Sequence, residues 1–515
     1  MAAPVCQAGH FCHEHSRSAG LPGSRKGWPV RPTLRFLSDD LRDRIIAEGR
    51  DLICTLGVEV HNPGVLTLLT DAGARHDRAS GRVHFTEQLI DRALKSAPRS
   101  FHLYDSLGQP AEDLSGYNVH FTPGSAAINI LDSQTQAIRR PTSADYIEYA
   151  RLMAAMDNIS SQSTAMIPAD VPERMSDSYR LFLSLLNCEK PVVTGTFTVE
   201  SFTVMKDLQV AVRGSEGALA EKPLTVFSCC PTSPLKWSHV TSQNVVDCAR
   251  YGIPVEFISM PLSGFMAPVT LVGSLVQHTA ETLSGLVISQ LARPGTPVLW
   301  GGSPAVFDIR YETTPMGAIE TMMIDCACNE IGKELGLPTQ AYIALSDAKS
   351  LDAQAGLETA MGAVLAALSG INHISGPGML DFESCFSLEK LVCDNEICGS
   401  VLRMTQGITP HEDFPALPRF QELLAEGHLL ISEHTRKYLK SEIQFPRPVI
   451  DRANQSRWKE EGSRSLIRRA HEEVRRALEQ HSPPRLPEHV RRELIRLMTS
   501  EAHTHGLSTL PGVDL

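Results

Sequence analysis

The sequence predicts an α/β protein built around a (β/α)8, or TIM, barrel, with a helical cap before it and a helical extension after it. Between residues 119 and 407, eight short apolar segments alternate with longer stretches of helical periodicity. Several of the helical stretches end in a glycine that is followed two residues later by a proline, as at Gly252, Gly295 and Gly336. Eight strand–helix units in succession is the number that makes up such a barrel.

The eight predicted strands are short apolar runs of the kind that is buried in a parallel sheet. They begin near Val119, Ile159, Pro191, Pro223, Pro254, Pro297, Thr339 and Asn372. The first intervening helix is predicted to begin with Ser143 as its N-cap. An open, doubly wound sheet is the alternative, but it usually has fewer strands and a reversal of strand order. No GxGxxG motif follows the first strand, which further disfavours a dinucleotide-binding fold.

The flanking regions have different patterns. Residues 1–31 are predicted to be a disordered tail, and residues 32–118 to form the N-terminal cap. Helices of the cap are expected after Leu41, after Asn62 and after Thr86, with a hairpin from His102. Residues 408–481 are predicted to be the C-terminal helical extension, and residues 482–515 to be a frayed tail.

Composition excludes some classes of function. The 515-residue chain has a net charge of −11, which argues against nucleic-acid binding. It contains no apolar run of the roughly 18 residues that span a membrane and no secretory signal. Its 12 cysteines are scattered in mostly apolar contexts, which indicates a reducing cytoplasm. The spacing of Cys6, His10, Cys12, His13 and His15 matches no standard zinc motif, so no metal site is predicted.

The active site of a (β/α)8 barrel lies at the carboxyl ends of its strands. The loops there contain Glu200, Cys229, Cys230, Trp237, Trp300, Asp308, Arg310, Tyr311, Glu312, Ser346, Asp347, Lys349, Asp352, Asp381, Phe382 and Glu383. No GxSxG or HExxH motif is present. Aromatic faces hold methylated ammonium cations, so Trp237, Trp300, Tyr311 and Phe382 could form a cage, with packing in the barrel wall as the alternative.

Other polar pairs are interpreted as structural. Cys229 and Cys230 are adjacent, so at most one can face the barrel interior, and we expect a buried pair. His278 and Glu281 lie three residues apart within a predicted outer helix. They are expected to make packing contacts rather than to share a ligand.

Five motifs resemble those of one known family. They are CPTSPL from Cys230, ARYGIPV from Ala249, SDAKSLDAQAG from Ser346, SGPGML from Ser375 and LEKLVCDNE from Leu388. Together they are similar to the trimethylamine:corrinoid methyltransferase family, over roughly residues 34–480. Members that use trimethylamine have pyrrolysine immediately before the SDAK-like segment, where this chain has Leu345. The resemblance therefore indicates a non-pyrrolysine member, similar to quaternary amine or glycine betaine methyltransferases.

The resemblance implies a chemistry. The family moves a methyl group from a methylated amine to the Co(I) of a separate corrinoid protein. Leu345 cannot form a covalent adduct, so the expected substrate is a quaternary amine, such as glycine betaine. No cofactor is expected on this chain itself, because the partner protein supplies the corrinoid. We also expect a homo-oligomer in the cytoplasm.

The resemblance also implies site residues. Asp308, Glu320 and Asp347 match acids of the family. We expect Leu345 and Asp347 to line the barrel mouth with at least one of Trp300, Asp308, Tyr311 and Phe382, and Ser346 and Glu320 to take part in substrate binding. Two alternatives stay open: a non-catalytic protein that binds methylated amines, and a metal-dependent hydrolase or lyase with a TIM-barrel fold.

Overall fold

The structure, a computed structural model, describes residues 30–512. Nearly all of the predicted disordered tail and the whole of the N-terminal Cys/His cluster lie outside these residues. Within the described range, the chain is a mixed α/β protein.

The N-terminal region combines helices with very short strands. Its elements are α1 (Asp39–Thr55), β1 (Val58–Val60), α2 (Pro63–Asp71), β2 (Arg75–Asp77), β3 (Arg82–His84), α3 (Glu87–Ser96), β4 (His102–Tyr104) and β5 (Pro110–Asp113). The three predicted helices are present, and the side chains of Asn62 and Thr86 cap two of them. The predicted hairpin is the antiparallel pair β4–β5. The sequence does not predict β1, β2 and β3, because a strand of three residues is too short to show an alternating pattern.

The central region contains all eight predicted strands, as β6, β9, β10, β11, β13, β15, β17 and β18. Its elements are β6 (His120–Thr122), β7 (Asn129–Leu131), β8 (Ile138–Arg139), α4 (Ser143–Met153), β9 (Gln162–Ser163), a 3-10 turn (Glu173–Met175), α5 (Ser176–Asn187), β10 (Val192–Thr194), α6 (Val199–Arg213), α7 (Glu216–Glu221), β11 (Thr225–Cys229), β12 (Lys236–Trp237), α8 (His239–Tyr251), β13 (Val255–Phe257), β14 (Leu262–Ser263), α9 (Leu271–Ala292), β15 (Val298–Leu299), β16 (Ala305–Val306), α10 (Ile319–Glu334), β17 (Gln340–Tyr342), α11 (Ala353–Ser369), β18 (His373–Ser375), β19 (Met379–Leu380), β20 (Cys385–Phe386) and α12 (Leu388–Thr405). The additional short strands lie in the loops between these units.

The eight predicted strands form two parallel sheets. One has the order β15-β13-β11-β10-β9 and the other the order β17-β18-β6. At one junction of the sheets, the amide of Gln340 donates to the carbonyl of Trp300 at 2.9 Å. At the other, the amide of Ser160, just before β9, donates to the carbonyl of Phe121 at 3.0 Å. Hydrogen bonds therefore link the strands in the order in which they occur along the chain.

The helices of the central region pack against their neighbours in chain order, from α4 to α12. Helix α4 differs from its prediction in one detail. Its N-cap is Thr142, whose side chain accepts from the amide of Asp145, while the amide of Thr142 donates to the carboxylate of Asp145. Ser143 is the first helical residue, and its amide and hydroxyl donate to Asp170. Thr142 and Ser143 both have a hydroxyl group, so the sequence pattern allows either to be the N-cap. Only the backbone conformation shows which of the two it is.

The C-terminal region is helical, as predicted for residues 408–481. Its helices are α13 (Leu417–Glu426), α14 (Glu433–Glu442), α15 (Gln455–Glu460), α16 (Leu466–Glu479) and α17 (Glu488–Thr504). The prediction that residues from 482 onward fray is wrong for α17, which packs against α5 and α6. Its buried residues Val490, Leu494 and Met498 are spaced four apart, so one apolar face meets the core. No helix within residues 30–512 has the length and apolarity to cross a membrane.

Candidate functional site

Strand β17 is followed by a bend at Ala344, which helix α11 approaches closely. Ala344 has a φ of +67°, a left-handed conformation that a non-glycine residue adopts at a cost on the order of 1 kcal/mol. A Cβ on Gly362 of α11 would lie 2.8 Å from the amide nitrogen of Ala344. Glycine at this position therefore lets α11 approach the bend closely. Leu345 follows the bend and is buried in the main core.

Asp347 and Glu358 hold the loop that follows this bend. The amides of Met316 and Gly317 donate to the two carboxylate oxygens of Asp347, at 3.0 and 2.8 Å. The hydroxyl of Ser346 and the amide of Asp347 both donate to Glu358 Oε2. Burial, together with the charge of Glu358, raises the pKa of Asp347 to about 6. Both carboxylate oxygens of Asp347 thus hold the backbone before α10 in place. The hydroxyl of Ser346 is already used in its hydrogen bond to Glu358.

Phe382 already has a cation on its ring. Lys349 Nζ lies 3.9 Å from the ring centroid of Phe382 and 3.5 Å from a carboxylate oxygen of Asp381. Asp381, Phe382 and Glu383 all have positive φ values. This turn is a second strained segment at the carboxyl ends of the strands, and it brings Glu383 close to Ser125.

Three of the predicted substrate-binding residues point elsewhere. The indole of Trp300 donates to the carbonyl of Cys328 on α10 and packs edge-on against His278 of α9. Tyr311 is 74% exposed. Glu320 is exposed in the first turn of α10. The sequence shows that these residues are near strand ends but cannot show the direction of their side chains, which tertiary packing decides.

Asp308 belongs to a local surface turn. Its carboxylate forms an ion pair with Arg310 at 2.6 Å, and Arg310 lies over the ring of Tyr311. The hydrogen bond from Arg310 lowers the pKa of Asp308 to about 2. Trp237 is likewise a packing residue, because its indole donates to Ser284 of α9. The predicted aromatic cage is therefore not assembled from Trp237, Trp300 and Tyr311.

The structural interpretation of His278 and Glu281 is confirmed. His278 Nε2 lies 2.9 Å from the carbonyl of Gly301, and burial lowers the pKa of this imidazole to about 4. Glu281 accepts hydrogen bonds from Ser233 and Ser259. Both side chains join α9 to the sheet and its loops.

A cluster of buried ionisable groups connects the two parallel sheets with the hairpin β4–β5. Glu112 of β5, Glu256 of β13 and His373 of β18 are fully buried. His373 Nε2 lies 3.5 Å from Glu112 Oε2, and its Nδ1 lies 3.7 Å from Glu256 Oε2. Burial lowers the pKa of His373, but the charges of the two carboxylates outweigh burial and raise it overall. The imidazolium therefore bridges two acids from opposite sides of the interior.

Glu256 also connects this cluster to the carboxyl ends of the strands. The hydroxyl of Ser228 donates to Glu256 Oε1 at 2.6 Å, whereas Oε2 has no hydrogen-bond partner among the described residues. The charge of Glu256 contributes to the raised pKa values of Cys230, Tyr342 and Glu383. These four side chains therefore share one environment.

Some polar atoms around Glu256 form hydrogen bonds, whereas others lack a partner. The hydroxyl of Tyr342 is 2.9 Å from that of Ser125. Burial and the charge of Glu256 raise the pKa of Glu383 to about 8, although the amide of Ser125 lowers it. Within residues 30–512, the buried Oε1 of Glu383 has no hydrogen-bond partner. A cation placed here would favour the ionised form of Glu383 and supply the partner that its Oε1 lacks.

Cys230 differs from its prediction. Cys229 is buried as expected, but Cys230 is exposed, so the two do not form a buried pair. The surrounding protein and the charges of Glu256 and Glu383 raise the pKa of the Cys230 thiol to about 12. The thiol is therefore protonated at neutral pH and is a poor nucleophile.

The strand-end rule selects Cys230 and Glu383 from the sequence but misses Glu112, Ser125, Glu256, Tyr342 and His373. One signal was available: Glu256 is a charged residue inside the apolar run PVEFIS. A charge in a buried strand is costly unless it is paired or functional. In the part of the chain that the structure describes, no group of three or more His, Cys, Asp and Glu residues is arranged to hold a metal.

Comparisons with known proteins place the chain in a family. The sequence profile of the trimethylamine methyltransferase (MTTB) family matches residues 15–503. The trimethylamine methyltransferase MttB of Methanosarcina barkeri (strain Fusaro / DSM 804) is 32% identical over 454 residues, covering 87% of this chain and 90% of that protein. The glycine betaine methyltransferase of Desulfitobacterium hafniense (strain Y51) is 28% identical over 457 residues, covering 88% and 94%.

A solved structure has a related fold. The crystal structure of the hydroxylamine MtmB complex superimposes with a TM-score of 0.50 at 12% identity, covering 86% of this chain and 87% of that one. At this identity the similarity concerns the fold alone. The family profile and the relatives, which extend over most of the sequence, lead to one conclusion: the chain belongs to the trimethylamine methyltransferase family and is an enzyme, a methyltransferase.

Proposed function

We propose that this enzyme moves a methyl group from a quaternary amine, such as glycine betaine, to the Co(I) of a corrinoid protein, which is a separate partner. The observation that carries this proposal is the buried Oε1 of Glu383, which has no hydrogen-bond partner within residues 30–512 and lies close enough to Glu256 for that charge to raise the pKa of Glu383. A quaternary ammonium group has a permanent charge and no N–H donor. It therefore favours a site that offers negative charge without requiring a hydrogen bond.

The proposed architecture is a closed (β/α)8 barrel, with this site at the carboxyl ends of its strands. Three observations support it: two parallel sheets that together have eight strands, hydrogen bonds at both junctions between the sheets, and helices that pack in chain order. His373 and Glu256 come from different sheets and meet in the interior. The carboxylates of the site would then lie inside the barrel.

Methyl transfer from a quaternary amine makes few demands on the protein. The carbon–nitrogen bond breaks, nitrogen keeps the electron pair, and the amine leaves neutral without taking up a proton. The methyl carbon forms its new bond with the electron pair of the reduced corrinoid. The protein has only to orient one methyl group and to exclude water. The aliphatic side chain of Leu345, at the end of β17, is compatible with this chemistry because no covalent activation of the amine is needed.

The face around the carboxyl ends also offers a surface for a protein partner. The loops after β13 and β15 are joined by the parallel pair β14–β16 and by the stacked rings of Phe265 and Phe307, 4.9 Å apart. These loops and the helices after them expose a group of large apolar side chains: Met260, Phe265, Met266, Val269, Val272, Ile309, Tyr311 and Ile319. An exposed apolar group of this size marks a contact surface. We propose that the corrinoid protein docks here, and that the reaction takes place in the cytoplasm.

The proposed function is tested by combining the enzyme, glycine betaine and a reduced corrinoid protein from a methylamine pathway. The expected result is a change of the corrinoid absorbance from the Co(I) to the methyl–Co(III) spectrum, only when all three components are present. Glycine betaine should also raise the melting temperature of the enzyme alone, since it binds the native state. Binding without methyl transfer to any corrinoid protein would favour the non-catalytic alternative.

Amine binding should depend on the protonation of Glu383. With a pKa of about 8, its carboxyl is mostly protonated at pH 7. A bound cation favours the ionised form, so binding should release a proton. The affinity for glycine betaine should therefore rise with pH, by roughly tenfold per unit below the pKa, and level off above it.

Isothermal titration in two buffers of different ionisation enthalpy measures the released proton. In Glu383→Gln, a side chain of matched size without a titrating group, both the proton release and the pH dependence should disappear. Equal affinities at pH 6 and pH 8 in the parent enzyme would contradict a role for Glu383 at the cation.

A further inference from the structure

The buried cluster of Glu112, Glu256 and His373 contains two carboxyl groups and a single imidazole. The two carboxylates approach different nitrogens of His373, at 3.5 and 3.7 Å. Each of the three side chains is at most 1% exposed. Because the protein shields these charges from solvent, each one must be neutralised by another charge or by a proton. The proposed methyl transfer by itself gives the histidine no role.

Glu112 is firmly held at one end of the cluster. Its Oε1 accepts a hydrogen bond from the hydroxyl of Ser160 at 2.7 Å and another from the hydroxyl of Ser161. Burial raises the pKa of Glu112, but the charges of His373 and His120, together with these hydroxyls, lower it overall. Glu112 is therefore an anion at neutral pH, and its charge stabilises the proton on His373.

Two acids decide the protonation of His373. Burial lowers the pKa of this imidazole, whereas Glu112 from β5 and Glu256 from β13 raise it overall. The two strands that pair with β18 add little: β17 places the uncharged Gln340 opposite His373, and β6 places His120 there. His120 Nε2 lies 3.0 Å from a backbone carbonyl of β5. Among the described residues, the two carboxylates thus account for the charge that faces His373.

Glu256 connects His373 with the proposed amine site. Its Oε1 accepts from Ser228, its Oε2 lies near the imidazole, and its charge reaches Glu383. Without an imidazolium, two buried carboxyl groups would share this region with no cation whenever the site is empty. A buried carboxyl group in that situation takes up a proton, because an unpaired buried charge is costly.

We propose that His373 is a positioning residue for amine binding: its imidazolium keeps Glu256 ionised in the empty site. This inference rests on the proposed function, since it concerns the same carboxylate. The arriving ammonium ion repels the imidazolium, and Glu112 retains the proton on His373 against this repulsion. Binding of the amine should therefore displace only the proton of Glu383. An enzyme without the imidazolium must release a second proton, from Glu256.

Isothermal titration with glycine betaine, in two buffers of different ionisation enthalpy, counts the released protons. Glycine betaine has no group that titrates near neutral pH, so every proton comes from the protein. Between pH 6 and 7, the parent enzyme should release about one proton and His373→Gln about two. The affinity should accordingly rise about tenfold per pH unit in the parent and nearly a hundredfold per unit in this variant. A loss of packing alone would weaken binding without changing either number.

Glu112→Gln provides a second test at the far end of the cluster. It keeps the size of the side chain but removes one of the two charges that hold the proton on His373. The ammonium ion should then displace this proton as well, so the variant should also release more than one proton.

His471→Gln is the matched control. It makes the same change at a histidine that lies 3.1 Å from the buried carboxylate of Glu389, on the outer helices α16 and α12. It should release the same number of protons as the parent. Far-UV circular dichroism and melting temperatures establish that each variant is folded, and Glu112→Gln decides the question should His373→Gln not fold.

The outcomes separate this inference from the proposed function. Folded His373→Gln and Glu112→Gln enzymes that release no more protons than the parent overturn the inference, as does a parent enzyme that itself releases two. In both cases the binding of glycine betaine still supports the proposed function. A parent enzyme that does not bind glycine betaine removes the proposed function, and this inference with it.

Discussion

Replacing Glu256 by Gln should lower kcat/KM for a quaternary amine by about a hundredfold or more. Gln has nearly the same size as Glu and can still accept the hydrogen bond from Ser228. What it removes is the negative charge of a buried carboxylate whose Oε2 makes no hydrogen bond within residues 30–512 and lies 3.7 Å from His373 Nδ1. The loss of one partner from a buried charge pair costs roughly 2–5 kcal/mol, and about 1.4 kcal/mol corresponds to a factor of ten.

The assay is the rate of corrinoid methylation at several amine concentrations, together with the melting temperature of the variant. Glu320→Gln is the matched control: it makes the same chemical change at an exposed acid that the sequence resemblance selects for substrate binding. It should change kcat/KM by less than about twofold. A Glu256→Gln enzyme with parental kinetics would remove the cation site proposed here.

Trimethylamine should not be a substrate, with a rate at least about a thousandfold below that of a quaternary amine, or ~4 kcal/mol in the barrier. A trimethylammonium ion can lose its N–H proton, and the neutral amine that results is a poor methyl donor, because its leaving group would be an amide anion. A quaternary amine has no proton to lose, and Leu345 offers no covalent route to activate the neutral amine.

The comparison uses the same enzyme and corrinoid protein with trimethylamine, glycine betaine and tetramethylammonium. Tetramethylammonium separates the contribution of the charge from that of the betaine carboxylate. A thermal shift with trimethylamine but no methyl transfer from it agrees with the prediction, because binding and reaction are separate requirements. Steady turnover of trimethylamine would show that another residue activates tertiary amines.

The order of strands and helices could be read from the sequence because its signals are local. A strand such as β17 is a continuous apolar run, and helices such as α2 and α3 begin at cap residues. Each signal lies within one turn or one short strand, and burial of the apolar face determines which element forms. The buried apolar residues of α17 have the same helical spacing. This helix, which was predicted to be a frayed tail, could therefore also have been predicted from the sequence pattern.

Local pattern also selects the strand ends at which we propose the site. The bend after Ala344 and the turn from Asp381 to Glu383 lie at strand ends, where residues with strained backbone are concentrated. The strand-end rule selects a loop but not a side-chain direction. For that reason it included Trp300, which packs against α9 and α10, together with Glu383, which lies near Glu256.

The sequence by itself determined the order of the elements, the loops that carry polar residues, and the aliphatic side chain of Leu345 after β17. Only the tertiary structure decided which charges meet. Glu112, Glu256 and His373 are separated by more than a hundred positions each, and they come together because the fold brings the hairpin β4–β5 next to a strand of each parallel sheet. Their interaction depends on distances of 3.5 and 3.7 Å across the interior. No spacing along the chain encodes such distances, because they result from the packing of the whole fold.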